Sequence, residues 1–310
     1  MKLEEIEAED NVSTVVQFVL LGFSELPNLQ GFLSGLFSII YMVVLIGNSL
    51  IVIITRLESA LHKPMCFFLA NFSILEICYV SVTLPRILFS LWTQDRSISL
   101  LNCATQLCFF FILGTAESFL LVVMSYDCYV AICNPLHYPL VMRPKKCHQL
   151  AVGVWLGGMP VQVGQTWQIF SLHFRHSNHI NHFFCDIPPI LKLACGDTSL
   201  QEMSIYVVVM LVALVPFVMI LASYSKIIGT ILRLPTAQGR TKAFSTCSSH
   251  LLVVALFLDQ LPLPTSGHSA GTDKLLSLFY TIVTPMFNPV IYNLRNQDVL
   301  AALRRLWLQT

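Results

Sequence analysis

The sequence predicts an all-α membrane protein, a bundle of seven transmembrane helices with the N-terminus outside and the C-terminus in the cytoplasm. Three observations support this fold class: the composition, a series of apolar segments and the distribution of Lys and Arg. Of the 310 residues, 55% are hydrophobic and only 11% are charged, and the mean hydropathy is +0.70. Soluble proteins contain about 25% charged residues, so a lipid bilayer is the expected surroundings. The net charge of +1 gives no sign of nucleic-acid binding.

The apolar segments divide the chain into three parts. Backbone groups in lipid must be hydrogen-bonded within their own segment, so each segment is expected to be a helix. Residues 1–31 form an extracellular segment, 32–294 the seven-helix domain and 295–310 a short cytoplasmic tail. The tail is interpreted as an amphipathic helix on the inner leaflet, with a frayed tail as the alternative. The seven predicted spans are Phe32–Ile54, Cys66–Leu91, Cys103–Met124, Leu150–Ile169, Met203–Leu232, Ala243–Leu258 and Leu275–Leu294.

The orientation follows from the basic residues between the spans. The first, third and fifth connections and the tail carry most of the Lys and Arg, including Arg56, Lys145 and Arg304. The positive-inside rule places these segments in the cytoplasm and the N-terminus outside. Asn11 begins an Asn-Val-Ser glycosylation sequon, which this orientation places outside the cell.

Several motifs narrow the interpretation. Residues 130–138 read VAICNPLHY, residues 242–251 read KAFSTCSSHL and residues 285–292 read PMFNPVIY. From about Phe18 to Arg305 the chain resembles the olfactory (odorant) receptors, a branch of the rhodopsin-like G-protein-coupled receptors. The resemblance implies a multi-pass, non-enzymatic receptor of the plasma membrane without a cofactor. Its expected partners are a small, volatile, mostly apolar odorant and a stimulatory, olfactory-type heterotrimeric G protein that raises cyclic AMP.

The resemblance also implies a disulfide between Cys103, at the outer end of the third span, and Cys185, in the loop after the fourth. An oxidising exterior agrees with such a bond, which would fix a long loop over the bundle. The family usually has a further cysteine pair in this loop. Cys195 matches one member, whereas Arg175 stands at the other position, so Cys195 is expected to be unpaired.

Two acidic residues lie inside predicted spans, Glu76 in the second and Glu117 in the third. A carboxylate in hydrocarbon costs about 3 kcal/mol and commonly marks a functional site. The resemblance implies that the pair shares a sodium ion or a proton, with oxygens from Ser73 and Asn288. The alternative is two protonated, hydrogen-bonded acids.

The ligand pocket is expected in the outer half of the bundle, where an apolar lining with few polar groups would suit an odorant. For each single residue, helix packing is the alternative interpretation. The candidates, which match the family's lining stretches or lie on the corresponding helix faces, are Phe110, Phe111, Gly114, Thr115, Val208, Val209, Val212, Leu258, Tyr280 and Thr281.

The cytoplasmic switch lies where the third span ends before Pro135, which should stop the helix. The family has Asp-Arg-Tyr there, with the arginine held by the acid at rest and released on activation. Here the arginine is replaced by Cys128, whose thiol offers one weak donor instead of five. We expect weakened coupling, with signalling in the absence of ligand as the alternative. The predicted switch residues are Asp127, Cys128, Tyr129, Tyr224, Asn288, Pro289 and Tyr292.

Further departures from the family raise the alternative of a receptor that has lost function. The sixth span is short, ending near Asp259, and Leu258 stands where the family has a pocket tyrosine. A transporter or channel is less favoured, since no inverted repeats or broken helices are visible. The histidines at 173, 176, 179 and 182 suggest a metal site, although solvated loop residues are the favoured interpretation.

Overall fold

The computed structural model describes residues 17–24, 27–58, 61–174, 178–233, 240, 251–252, 254–255, 278, 281–282 and 285–287. Most of the predicted sixth and seventh spans and the whole tail lie outside these residues. The same holds for several individual predictions, namely those on Asn11, Arg175, Leu258, Tyr280, Asn288, Pro289 and Tyr292.

The described residues form eight α-helices and three short strands. The helices are α1 (Gln30–Leu57), α2 (Pro64–Thr93), α3 (Leu100–Cys133), α4 (Tyr138–Val141), α5 (Pro144–Gly157), α6 (Met159–Phe170), α7 (Ile187–Leu191) and α8 (Ser199–Arg233). The strands are β1 (Gln17–Leu20), β2 (Ser97–Ser99) and β3 (His179–Ile180). A 3-10 turn, Pro27–Leu29, leads into α1.

Within the described part of the chain, four segments are long and apolar enough to cross a bilayer: Pro27–Leu57, Pro64–Thr93, Leu100–Cys133 and Ser199–Arg233. They correspond to the predicted first, second, third and fifth spans. Large apolar side chains cover their outer faces, and Phe32 and Met203 are 67% and 65% exposed. Such a large exposed apolar surface is unfavourable in water but not in lipid, so these helices are typical of a membrane protein.

The third helix is the centre of the packing. It contacts α2, α5, α6 and α8, and its buried residues join a core that contains Leu113, Leu120 and Met124. It ends at Cys133, with Asn134 as the cap residue, so the predicted stop before Pro135 is confirmed. The observed helix is longer at both ends than the predicted span.

The predicted fourth span, Leu150–Ile169, is divided in the structure. The helices α5 and α6 meet at Gly158, and Pro160 in the first turn of α6 cannot donate a backbone hydrogen bond. The prediction of one unbroken helix was therefore wrong at this point. A Cβ atom at Gly158 would lie 2.6 Å from Cγ2 of Thr115, so the break occurs beside a close contact with α3.

A small three-stranded sheet closes the end of the bundle that carries the predicted disulfide, here called the disulfide end. The central strand β1 pairs antiparallel with β2 and parallel with β3. Its alternating residues Phe18 and Leu20 are buried in a second apolar cluster with Ile180 and Ile190. Sequence analysis missed this sheet, because its strands are short and their partners are distant in sequence.

The close approach at Gly158 gives a test of the packing. We expect Gly158→Ala to lower the free energy of unfolding by about 1–3 kcal/mol, because the new methyl group overlaps Thr115. Thr115→Ser removes the overlapping methyl group and keeps the hydroxyl, so it should recover part of the loss. The midpoint of thermal unfolding of the purified receptor measures both effects. Gly164→Ala is the control, since nothing lies within 4 Å of its added carbon; an equal loss there would contradict the packing model.

Candidate functional site: the disulfide end and the opposite end of α3

The loop before α7 is fixed to α3 by a disulfide. Cys103 and Cys185 are bonded, with their Cα atoms 5.5 Å apart and a sequence separation of 82. Both are buried in the apolar cluster beneath the sheet. The disulfide implied by the resemblance is therefore confirmed.

Gln106, which sequence analysis missed, supports this loop from below. Its side-chain N–H donates to the carbonyl of Val82 in α2 at 3.0 Å, and its Oε1 accepts from the N–H of Cys185 at 3.1 Å. One buried amide thus connects α2, α3 and the loop. The sequence did contain a signal for this role: a single glutamine one turn after Cys103 in an apolar helix, whose buried amide would require hydrogen-bond partners.

An aromatic cluster lies between this loop and the bundle. The ring of Phe110 is 5.0 Å from that of Tyr79 in α2 and 5.2 Å from that of Phe184 in the loop. Phe111 contacts Phe110 edge-on at 5.4 Å. Two of the predicted pocket residues therefore lie beneath the loop, in surroundings that are mostly aromatic and apolar.

The other predicted pocket residues are placed differently. Gly114 has open space where a side chain would be. Thr115 is buried against α6, where its Oγ1 accepts a hydrogen bond from Gln162 at 2.9 Å. The role of Thr115 in the pocket stays a prediction, but its hydroxyl oxygen already accepts the hydrogen bond from Gln162.

On α8 and in the described part of the predicted seventh span, the remaining candidates are at least half-buried. Val208, Val209 and Val212 share one half-buried face of α8, and α8 packs along α3. Thr281 is buried, and its hydroxyl has no hydrogen-bond partner among the described residues.

The acidic pair is buried as expected. Glu76 and Glu117 are 3% and 7% exposed, and the two carboxyl groups interact electrostatically. The hydroxyl of Ser73, also buried, finds no hydrogen-bond partner in the described part of the chain. Two carboxylates in a dry interior repel each other unless a proton or a cation lies between them. The arrangement is chemically suited to either.

At the opposite end of α3, Asp127 has a partner that sequence analysis did not identify. The hydroxyl of Tyr138, at the start of α4, donates to Oδ1 of Asp127 at 3.0 Å. Burial, together with the carboxyl group of Asp127, raises the pKa of Tyr138, so the phenol stays a donor at neutral pH. The family motif at 130–138 ends in this tyrosine, but only its position in space reveals the contact.

Three further residues of the predicted switch lie in the described part of the chain. Cys128 and Tyr224 are buried in the bundle core, and Tyr129 is half-buried. Further along, Sγ of Cys133 lies 3.2 Å from Oγ1 of Thr230 and joins α3 to α8. Cys128 therefore lies in the packed core, and α3 contacts α8 about one turn beyond it.

The described loop histidines do not converge on a metal site. His182 is buried with its ring 4.6 Å from those of Phe183 and Phe184, whereas His179 is exposed in β3. No group of three potential metal ligands is found in the described ranges.

Cys195 forms no disulfide within the described residues, and its backbone N–H donates to the carbonyl of His173 at 2.9 Å.

Comparison with known proteins agrees with this geometry. A family model described as olfactory receptor matches residues 37–310. The human olfactory receptor 10AG1 is 52% identical over 297 residues, which cover 94% of this chain and 98% of the relative. The human olfactory receptors 10A5 and 10A2 are each 50% identical, covering 95% and 92% of this chain and 95% and 96% of their own lengths.

These relatives have the names of receptors rather than of enzymes, transporters or channels. Their similarity extends over nearly the whole length of both chains, so it includes both ends of α3. The chain belongs to the olfactory receptor family, whose members are odorant receptors in membranes and not enzymes.

Proposed function

We propose that this receptor detects small, volatile, mostly apolar molecules at the plasma membrane and activates a stimulatory, olfactory-type G protein, which raises cyclic AMP. The ligand pocket would lie between the third, fifth, sixth and seventh spans. The observation that carries the proposal is the aromatic cluster of Phe110, Phe111 and Phe184 beneath a disulfide-anchored loop. Such a lining favours apolar ligands.

The proposed orientation places the disulfide end outside the cell. A disulfide persists on the oxidising side of a membrane. The basic residues Arg143, Lys145 and Lys146 lie at the start of α5, beyond the opposite end of α3. The N-terminus and a glycan on Asn11 would then also be outside, and the tail would be in the cytoplasm.

A polar contact with the ligand is proposed for Thr281. Its buried hydroxyl has no partner among the described residues, and a buried hydroxyl gains free energy when a ligand completes its hydrogen bond. An alcohol, aldehyde or ketone oxygen would serve. Leu258 and Tyr280 remain proposed lining residues.

Coupling is proposed to be weak because of Cys128. In the family motif an arginine at this position would contact the G protein and the tyrosines at 224 and 292, and a thiol cannot replace its five donors. The bond from Tyr138 to Asp127 supports weak coupling rather than signalling without ligand, since it holds the end of α3 at rest without the arginine.

A receptor that has lost function is the second candidate. The observation that favours it is the burial of Cys128, 4% exposed, at the interface where the family motif has its arginine. Arg175, Leu258 and the short sixth span would add to the defect.

Glu76 and Glu117 are proposed to bind a sodium ion in the resting state, with Ser73 and Asn288 as further oxygen ligands. The buried hydroxyl of Ser73 supports this, because it is an additional acceptor beside the acidic pair. A shared proton is the competing occupant.

Restoring the arginine tests the proposed function and the switch together. We expect Cys128→Arg to raise the odorant-evoked cyclic AMP response several-fold, measured over a panel of volatile ligands in cells with matched surface expression. Cys128→Lys is the matched control and should give a smaller gain, because it adds the charge without the planar set of donors. Equally strong responses from the unchanged receptor and Cys128→Arg would contradict our model of the switch. Silence from every variant would favour the receptor that has lost function.

The ion site is tested by comparing thermal unfolding in sodium chloride and choline chloride at equal ionic strength. A bound ion stabilises the folded receptor by about 1.4 kcal/mol when its concentration is ten times Kd. We expect the unchanged receptor to be stabilised by sodium, and Glu117→Gln to abolish the effect. Glu202→Gln is the control, since Glu202 is exposed at the start of α8. Identical curves in the two salts would favour the shared proton.

A further inference from the structure

A cavity lies apart from the proposed odorant pocket. It has a volume of about 350 Å³ and lies between the disulfide-end halves of α2 and α3, next to β2. Its lining includes none of the predicted pocket residues. It opens on the outer face of α3, where Phe109 is 51% exposed, while Phe110 on the inner face is 8% exposed. A ligand here would approach from the bilayer and its surface.

Among the described residues that line this cavity, only Arg86 is charged. One of its terminal nitrogens donates to the carbonyl of Ser97 in β2, and its guanidinium carbon lies 5.1 Å from the ring centre of Phe89. Its Nε is buried and has no hydrogen-bond partner in the described ranges. An arginine offers five donors in one plane, so this one has donors left for a ligand.

The acidic neighbour of Arg86 is already engaged elsewhere. Oδ1 of Asp95 accepts from the backbone N–H and the hydroxyl of Ser97 at 2.9 and 2.7 Å. These hydrogen bonds, and to a smaller extent the charge of Arg86, lower the pKa of Asp95. Asp95 is therefore ionised at neutral pH but forms no salt bridge with Arg86 in the described structure, which leaves the guanidinium without a full counter-charge.

The polarity of the lining changes with depth. Arg86 lies seven residues before the end of α2, which is about 10 Å along the helix and close to the border between headgroups and hydrocarbon. Ser99 and Asn102 lie near the disulfide end, whereas Val82 and Phe109 lie about one to two turns deeper. A cation at this depth is costly unless an anion or water accompanies it. The cavity thus has a polar, cationic mouth and an apolar floor that continues into lipid.

We propose that this cavity binds an anionic amphiphile, with a carboxylate or phosphate group on Arg86 and an apolar chain along Val82 and Phe109. Two sources share this chemistry, an ionised fatty acid and an anionic phospholipid of the outer leaflet. Gln106 forms part of the cavity wall and also holds Cys185. An occupant would therefore support the side chain that positions the loop over the odorant pocket.

The test uses the full-length receptor in phosphatidylcholine nanodiscs with a diazirine-bearing oleate as the probe. Labelled peptides are mapped by mass spectrometry. We expect labelling at the disulfide-end halves of α2 and α3, reduced roughly tenfold in Arg86→Gln, because a charge-assisted hydrogen bond contributes about that factor. Arg96→Gln is the matched control: it removes the same charge close by but lies outside this cavity, and labelling should be unchanged.

Because Arg86→Gln also loses the bond to Ser97, a second variant leaves Arg86 in place. Thr105 is exposed on the cavity wall, and Thr105→Trp should fill the cavity and reduce labelling to a similar extent. Unlabelled oleate should compete with the probe, while its neutral methyl ester should compete at least fivefold less well. Stronger competition by nanodiscs with phosphatidylglycerol would identify a phospholipid as the occupant, and stronger competition by oleate a fatty acid. Equal competition by oleate and its methyl ester, or full labelling of Arg86→Gln and Thr105→Trp, would overturn the proposal.

Discussion

The bond between Cys103 and Cys185 is the constraint on which the disulfide end of the receptor depends. It fixes the loop that follows α6 at Cys185, 15 residues after the end of that helix. By the chain-entropy estimate, closing this 82-residue loop stabilises the fold by about 4.5 kcal/mol. Gln106 then holds the loop against α2 and α3 through its hydrogen bonds to Val82 and Cys185. With the loop fixed, Phe184 packs on Phe110 and contributes to the aromatic lining of the proposed pocket.

Much of this architecture could be predicted from the sequence, because it depends on local patterns. The apolar runs gave the described spans, and Pro135 gave the end of α3. The sheet was missed because it depends on contacts between distant residues, since its three strands come from separate segments. The close packing of Gly158 on Thr115 likewise joins residues of two different helices. The pattern of apolar residues within one segment does not show which distant segment it will contact.

In the candidate site, too, some residues could be identified from the sequence and others could not. The residue types that are unusual in lipid, such as Glu76 and Glu117, could be found from sequence because their burial alone is costly. Their neighbours could not. Tyr138 was part of a recognised motif, yet its contact with Asp127 depends on how α4 turns back against α3. Gln106 likewise looked like an isolated polar residue until the loop was placed over it.

The helix α3 connects the proposed ligand pocket to the proposed switch, and its length limits how a small ligand can act. Phe111 and Cys128 are 17 residues apart, about 25 Å along α3. A ligand shifts the equilibrium only by its difference in affinity for the two states, and a small apolar odorant makes few polar contacts to supply that difference. Under the proposed mechanism, the active state is then stabilised largely by the protein itself, in the core where Cys128 and Tyr224 are buried. Under the proposed mechanism, a thiol in place of the family's arginine there should therefore weaken signalling more than it would in a receptor whose ligand binds through many strong hydrogen bonds.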